Sequence, residues 1–120
     1  MEELTKTEEK VMHVFWQISK GFVKDVIDLL HEDPKPPYTT ISSVVRILES
    51  KGYLGHNAYG KTHEYFPLVT KEAYRQNRFQ RLLKHYFDDK VGNLLSFITQ
   101  EKGLSKEELE DLRSWINRQK

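Results

Sequence analysis

Residues 38–67, YTTISSVVRILESKGYLGHNAYGKTHEYFP, change their hydrophobic period midway, and that change decides the fold. In the first part Ile41, Val44, Val45 and Leu48 recur at helical spacing, and Lys51-Gly52 supplies a glycine stop. The spacing predicts a helix over 38–51. In the second part Tyr53 to Tyr59 and Thr62 to Phe66 are rich in aromatics and Thr and flank Gly60-Lys61. A Gly-X pair between two strand-like runs predicts a hairpin, which Pro67 ends.

Upstream of this stretch two more helices are written in the sequence. Thr5 and Glu8 form a capping box ahead of Val11, Val14, Phe15 and Ile18, which predicts a helix over 6–19 stopped by Lys20-Gly21. Val23, Val26, Ile27 and Leu30 predict a second over 22–32, closed by Asp33-Pro34, and Pro36-Pro37 keep the following link extended. Three short helices and a two-stranded hairpin are the plan of a winged helix-turn-helix. The fold class is therefore mainly α with a small β-hairpin wing, placed at residues 1–69.

Residues 70–120 read as helical: 70–88, 90–100, and 105–118 behind a second capping box from Ser105 to Glu108. Short helices seldom bury enough apolar surface alone, so these faces predict a second copy of the chain. The expected dimer interface comprises Leu82, Tyr86, Leu94, Leu95, Ile98, Leu112, Trp115 and Ile116. No internal repeat or low-complexity tract interrupts the pattern.

Composition narrows the possible functions. In 120 residues, 19 Lys+Arg against 18 Asp+Glu, with 12% aromatics, describe a folded, near-neutral protein that does not coat nucleic acid by bulk charge. No apolar run approaches the length of a membrane span, and Met1-Glu2-Glu3 is acidic where a signal peptide is basic, so a soluble cytoplasmic protein is expected. Zero cysteines exclude disulfides, thiolate metal sites and cysteine nucleophiles. Charge is unevenly placed, however. Residues 34–63 carry Lys35, Arg46, Lys51 and Lys61 with His56 and His63 against the single acid Glu49, and residues 71–85 carry five cations against Glu72. Either run could meet phosphate, although a solvated helix face is the commoner origin of such runs.

No catalytic motif is present. His31-Glu32 and His63-Glu64 begin like H-E-x-x-H but lack the second His one turn on that would bring two imidazoles to one metal. The six glycines form neither a dinucleotide fingerprint nor a phosphate loop, and no G-x-S-x-G elbow occurs. His13 and His85 lie in amphipathic helices as ordinary helix residues. No enzyme activity and no cofactor are expected.

A nucleic-acid surface is better supported. At about 100° per residue, the helical face opposite Ile41 and Leu48 carries Thr39, Ser42, Ser43, Arg46 and Ser50. Small hydroxyl side chains let a helix approach base edges closely, and one Arg can grip a guanine with two hydrogen bonds. Candidate DNA-binding residues are Thr39, Thr40, Ser42, Ser43 and Arg46 on this helix, with Lys61 and His63 on the wing reaching phosphates. Tyr59, Tyr65 and Phe66 are expected to pack against the helices, and Trp16 and Trp115 to serve a core or interface. The rival reading is a protein-docking winged helix, which calls for an exposed aromatic or aliphatic anchor.

Several of these segments resemble one bacterial family. LTKTEEKVMHVFW at 4–16, Tyr38 to Leu48 continuing through Lys51-Gly52-Tyr53-Leu54, Tyr65-Phe66-Pro67, Asn93 to Phe97, and Glu107-Glu108-Leu109 are similar, in order and spacing, to the BlaI/MecI penicillinase-repressor family. The resemblance implies a homodimeric winged-helix repressor on a palindromic double-stranded operator, with C-terminal helices that dimerise. It also implies a membrane-embedded sensor metalloprotease as partner, which ends repression by cleavage in the dimerisation region. The family's scissile Asn–Phe corresponds here to Ser96-Phe97, and its recognition-helix Arg, usually directly before the Leu, stands one residue earlier as Arg46, with Ile47 in its place. Release by a diffusible ligand is the alternative to proteolysis. The copper-responsive branch's cysteine motif is missing.

Overall fold

The computed structural model describes residues 1–87, apart from the side chains of 83–87, and beyond them Glu107, Glu108, Glu110, Asp111, Ser114 and Arg118. The chain divides into two compact units, Met1–Lys71 and Glu72–Lys120.

In the first unit α1 (Lys6–Ile18), α2 (Val23–Leu29) and α3 (Tyr38–Ser50) precede an antiparallel hairpin of β1 (Leu54–Tyr59) and β2 (Thr62–Pro67). The expected capping box opens α1: Thr5 Oγ1 accepts from the Glu8 amide at 3.1 Å, and Glu8 Oε1 from the Thr5 amide at 3.0 Å. The helix ends at Ser19, whose φ of 72° turns the chain just ahead of the expected Lys20-Gly21 stop. α2 is shorter than its apolar stripe suggests. Leu30 is already extended (ψ 125°), and Lys35 donates its ammonium to the carbonyls of Asp28 and Leu30, satisfying the helix end where residues 31–32 were expected to continue it. A tertiary cap thus overrides the periodicity.

α3 and the hairpin follow the sequence closely. Ile41, Val45 and Leu48 are buried, Val44 is half-buried, and Gly52, at φ 86°, makes the left-handed turn that lets the chain leave the helix. Tyr59 pairs with Thr62 across a two-residue loop, where Gly60 (φ 64°) takes the positive φ that the first residue of a type II′ turn needs. The core gathers Val11, Met12 and Phe15 from α1, Val26 from α2, Ile41, Val45 and Leu48 from α3, and Tyr53, Leu54 and Tyr65 from the hairpin.

One pairing unites the two ends of this unit. Gly21 and Tyr65 exchange backbone hydrogen bonds of 2.9 and 2.8 Å, so the link between α1 and α2 lies along the outer edge of β2 as a one-residue third strand. Tyr65 is buried against the edge of the Phe15 ring, as expected of a packing residue. Tyr59 departs from that expectation: it is 56% exposed beside Phe22, because it stands at the hairpin's end, beyond the helices' reach. Trp16 is half-buried and donates its indole N–H to the Val69 carbonyl at 2.8 Å, fastening α1 to the segment that leaves β2.

In the second unit α4 runs Lys71–Phe87, with Tyr74 and Phe79 buried and Leu82 exposed. Arg75 holds Asp111 through two N–H donors at 3.1 and 3.4 Å and Glu107 at 3.3 Å, and the described positions from 107 to 118 are helical. The expected helix over 90–100, and with it Leu94, Leu95, Ser96, Phe97 and Ile98, lies outside the described residues, as do Leu112, Trp115 and Ile116 and the side chain of Tyr86.

Candidate nucleic-acid interface

The face of α3 turned away from Ile41, Val45 and Leu48 is open. Tyr38, Thr39, Thr40, Ser43, Arg46, Ile47 and Ser50 are exposed, while Ser42 is half-buried. The hydroxyls of this face are partly turned back on the helix: Ser43 Oγ donates to the Thr39 carbonyl at 3.0 Å and Ser50 Oγ to that of Ile47 at 2.9 Å. These bonds use the hydroxyl protons and leave the oxygens' lone pairs outward as acceptors. Arg46 Nε makes a long 3.4 Å contact with the Ser42 carbonyl. That lays the start of the guanidinium along the helix, with a face of small side chains on either side.

The basic run at 34–63 divides once its partners are known. Lys35 is spent on the end of α2, and Lys51 reaches inward to Glu8 at 2.7 Å and to the Glu3 carbonyl at 3.0 Å. Arg46 on α3 and Lys61, exposed at the hairpin turn, are the cations of the run that stay outward. In the later run, Arg75 is likewise engaged with Asp111 and Glu107. A count of cations therefore overstated the phosphate-facing charge, as sequence alone cannot say which lysines cap helices.

Beside α3, the wing presents His56 and His63 on one face. Their rings stack in parallel, centroids 4.1 Å apart and planes 3° from parallel, and His56 Nδ1 is hydrogen-bonded to Glu49 on α3. His63 is half-buried in this stack, on the wing where the sequence places a phosphate contact. Tyr65 lies beneath, its ring centroid 5.7 Å from that of His56 and 6.0 Å from that of His63. Burial holds the Tyr65 phenol above its ordinary range; Glu49 and Tyr38 add to the shift, and Arg46 opposes it.

The sequence places His56 along the wing, within reach of phosphate, but gives Glu49 and Tyr38 no part in this surface. Glu49 and His56 are joined across the gap between helix and hairpin, a meeting that no local pattern signals. Tyr38, 59% exposed at the start of α3, carries only the weak hint that a bulky aromatic stands outside the helix's apolar stripe. Among the described residues no group of His, Asp or Glu is arranged to hold a metal ion, and no helix is long and apolar enough to cross a membrane. An open groove of about 410 Å³ lined by Trp16, Ser19, Pro67, Leu68, Val69, Thr70 and Lys71 has neither α3 nor the hairpin turn in its walls.

A three-helix core, an exposed polar third helix and a basic-tipped hairpin define a winged-helix protein of the DNA-binding repressor class. The profile of the penicillinase repressor family matches residues 4–118, and the chain belongs to that family, the BlaI/MecI repressors, which is not a class of enzymes. The chain is 20% identical over 116 residues to the methicillin resistance regulatory protein MecI of Staphylococcus aureus, covering 97% of this chain and 94% of that one. It is 24% identical over 110 residues to the penicillinase repressor of Bacillus licheniformis, covering 92% and 86%. The solution structure of the DNA-binding domain of the repressor BlaI matches it with a TM-score of 0.51 and 27% identity, covering 59% of this chain and 90% of that one.

Proposed function

We propose that the protein is a homodimeric transcriptional repressor that reads a palindromic operator through α3. Thr39, Thr40, Ser42, Ser43 and Arg46 lie against base edges and nearby phosphates, and Lys61 and His63 hold the backbone beside the groove. The observation that carries this is the exposed face of α3, whose small hydroxyl side chains surround one outward arginine. Such a face lets a helix enter the major groove without steric conflict and gives it one two-pronged donor. Tyr38 and Ile47, both well exposed, are the kind of apolar anchor a protein-docking surface needs. On DNA they have a use as well, since apolar side chains recognise the thymine methyl.

Salt and sequence dependence separate the roles. Arg46→Ala is expected to cost about 1–3 kcal/mol of operator affinity and to relax preference at one base position in each half-site. Lys61→Ala is expected to weaken every duplex alike and to lower the slope of log K against log salt by about one. Titration of labelled duplexes at several salt concentrations reads both. An unchanged base preference in Arg46→Ala transfers the reading of sequence to Thr39, Ser42 and Ser43.

Residues 70–120 are proposed as the dimerisation region, with Leu82, Tyr86, Leu94, Leu95, Ile98, Leu112, Trp115 and Ile116 at the interface. The exposure of Leu82 supports this. The proposed inducing event is cleavage between Ser96 and Phe97 by a membrane-bound sensor metalloprotease, which separates the last helix from the DNA-binding half. Mass spectrometry of the protein from induced cells should show a fragment ending at Ser96. Full-length protein persisting while its target genes are derepressed would instead establish release by a diffusible ligand.

A further inference from the structure

The stacked histidines link the hairpin to the carboxyl-terminal half of α3 through a hydrogen bond and a ring contact. Glu49 Oε2 meets His56 Nδ1, His56 lies flat on His63, and both rings lean on Tyr65, which is 5% exposed. With the planes 3° from parallel, the two rings' nitrogen lone pairs point along their own planes and do not converge, so the pair is no metal clamp.

We propose that Glu49, His56 and His63 form a positioning seam that holds the wing against α3, and that a second proton on the histidine pair opens it. Around Tyr65, on which both rings lean, the charged and titratable groups are Glu49, Arg46 and Tyr38, all from α3. Among them Glu49 is the one carboxylate, and it is bonded to His56. One imidazolium is therefore compensated. Two imidazolium rings at 4.1 Å repel face to face, and the carboxylate bonded to the pair, Glu49, offsets a single charge. Imidazole takes up protons between about pH 5 and 8, so the seam is closed at neutral pH and loosens in mild acid. Its effect on DNA rests on the reading of α3 and the wing as the contacting elements. Loosening lowers the preference for operator, while the added charge strengthens attraction to any duplex.

Two measurements on the full-length protein test this. Amide NMR from pH 8 to pH 5, without DNA, should show the amides of Arg46 and the hairpin shifting in mild acid. In His63→Phe, which keeps a ring in the stack without a second charge, the hairpin amides should hold still. An unmoved hairpin in the wild-type protein, or the same hairpin shifts in His63→Phe, overturns the seam. In the DNA measurement, the ratio of operator to scrambled-duplex affinity should fall about tenfold from pH 7.5 to 5.5, the equivalent of one pK unit, and stay level in His63→Phe. An operator preference that is equally pH-dependent in both proteins overturns the coupling to DNA. A wild-type protein that shows the hairpin shifts but prefers no sequence at any pH removes the DNA reading and leaves the seam standing.

Discussion

Ending the chain after Lys71 is expected to leave a folded winged unit that binds the palindrome at least about a hundredfold more weakly than the full chain. Two half-sites read by linked domains gain from effective concentration, which raises affinity over a single domain by about 10²–10⁴. The fold should survive because the buried side chains of α1, α2, α3 and the hairpin all belong to Met1–Lys71, where the Trp16–Val69 bond also lies. The BlaI DNA-binding domain, solved by itself, matches 59% of this chain. Anisotropy titrations with a full palindrome and with a single half-site distinguish the possibilities. The truncated protein should bind both duplexes with one affinity per half-site, and the full chain should prefer the palindrome strongly. Equal affinity of the two proteins for the palindrome would show that linkage through residues 72–120 contributes nothing, and the proposed release by cleavage at Ser96-Phe97 would go with it.

The parts of this fold legible in sequence are those encoded over one or two turns. Ile41, Val45 and Leu48 place α3 and its buried face; Gly60-Lys61 places the hairpin turn; Thr5 and Glu8 place the start of α1. The exposed face of α3 followed directly, since burying one stripe of a helix exposes the opposite one. Contacts between residues far apart in the chain were not legible. Gly21 reads as a helix stop, and its pairing with Tyr65 requires the hairpin to be already folded beside it. Lys35 and Lys51 read as members of a basic strip because a lysine's sequence neighbours do not show whether its ammonium meets water, a carbonyl or a buried carboxylate. The stacking of His63 on His56 was not legible either, since it follows from a strand register that only the folded hairpin defines.

Lys51→Met is expected to destabilise the winged unit by about 3 kcal/mol, because it leaves the Glu8 carboxylate buried without its counter-ion. Glu8 is 5% exposed, at the amino-terminal end of α1, where the helix dipole favours an anion, and Lys51 caps the carboxyl-terminal end of α3, where it favours a cation. Their 2.7 Å pair thus joins the two helix ends, and Lys51 also holds the Glu3 carbonyl while the Tyr53 hydroxyl donates to that of Glu2. Burial pushes the Glu8 carboxyl up, but the Lys51 ammonium and the Thr5 amide and hydroxyl together outweigh it and hold the group below its ordinary value. The sign of the pH dependence follows. A carboxylate with a lowered folded pKa contributes stability that is complete above its unfolded value and is lost as pH falls through the folded one. Without Lys51 its lowering influence is gone while that of burial stays, so the folded value rises and protonation costs the variant less than the parent. Denaturant unfolding of the two proteins should therefore show the gap between them narrowing from pH 7 to pH 4. Replacing both partners, as in Glu8→Leu with Lys51→Met, should recover much of the loss, since an apolar pair needs no counter-ion. A gap that stays constant with pH would mean that Lys51 acts through its aliphatic stem or its bond to Glu3, and that Glu8 is already satisfied by the capping box.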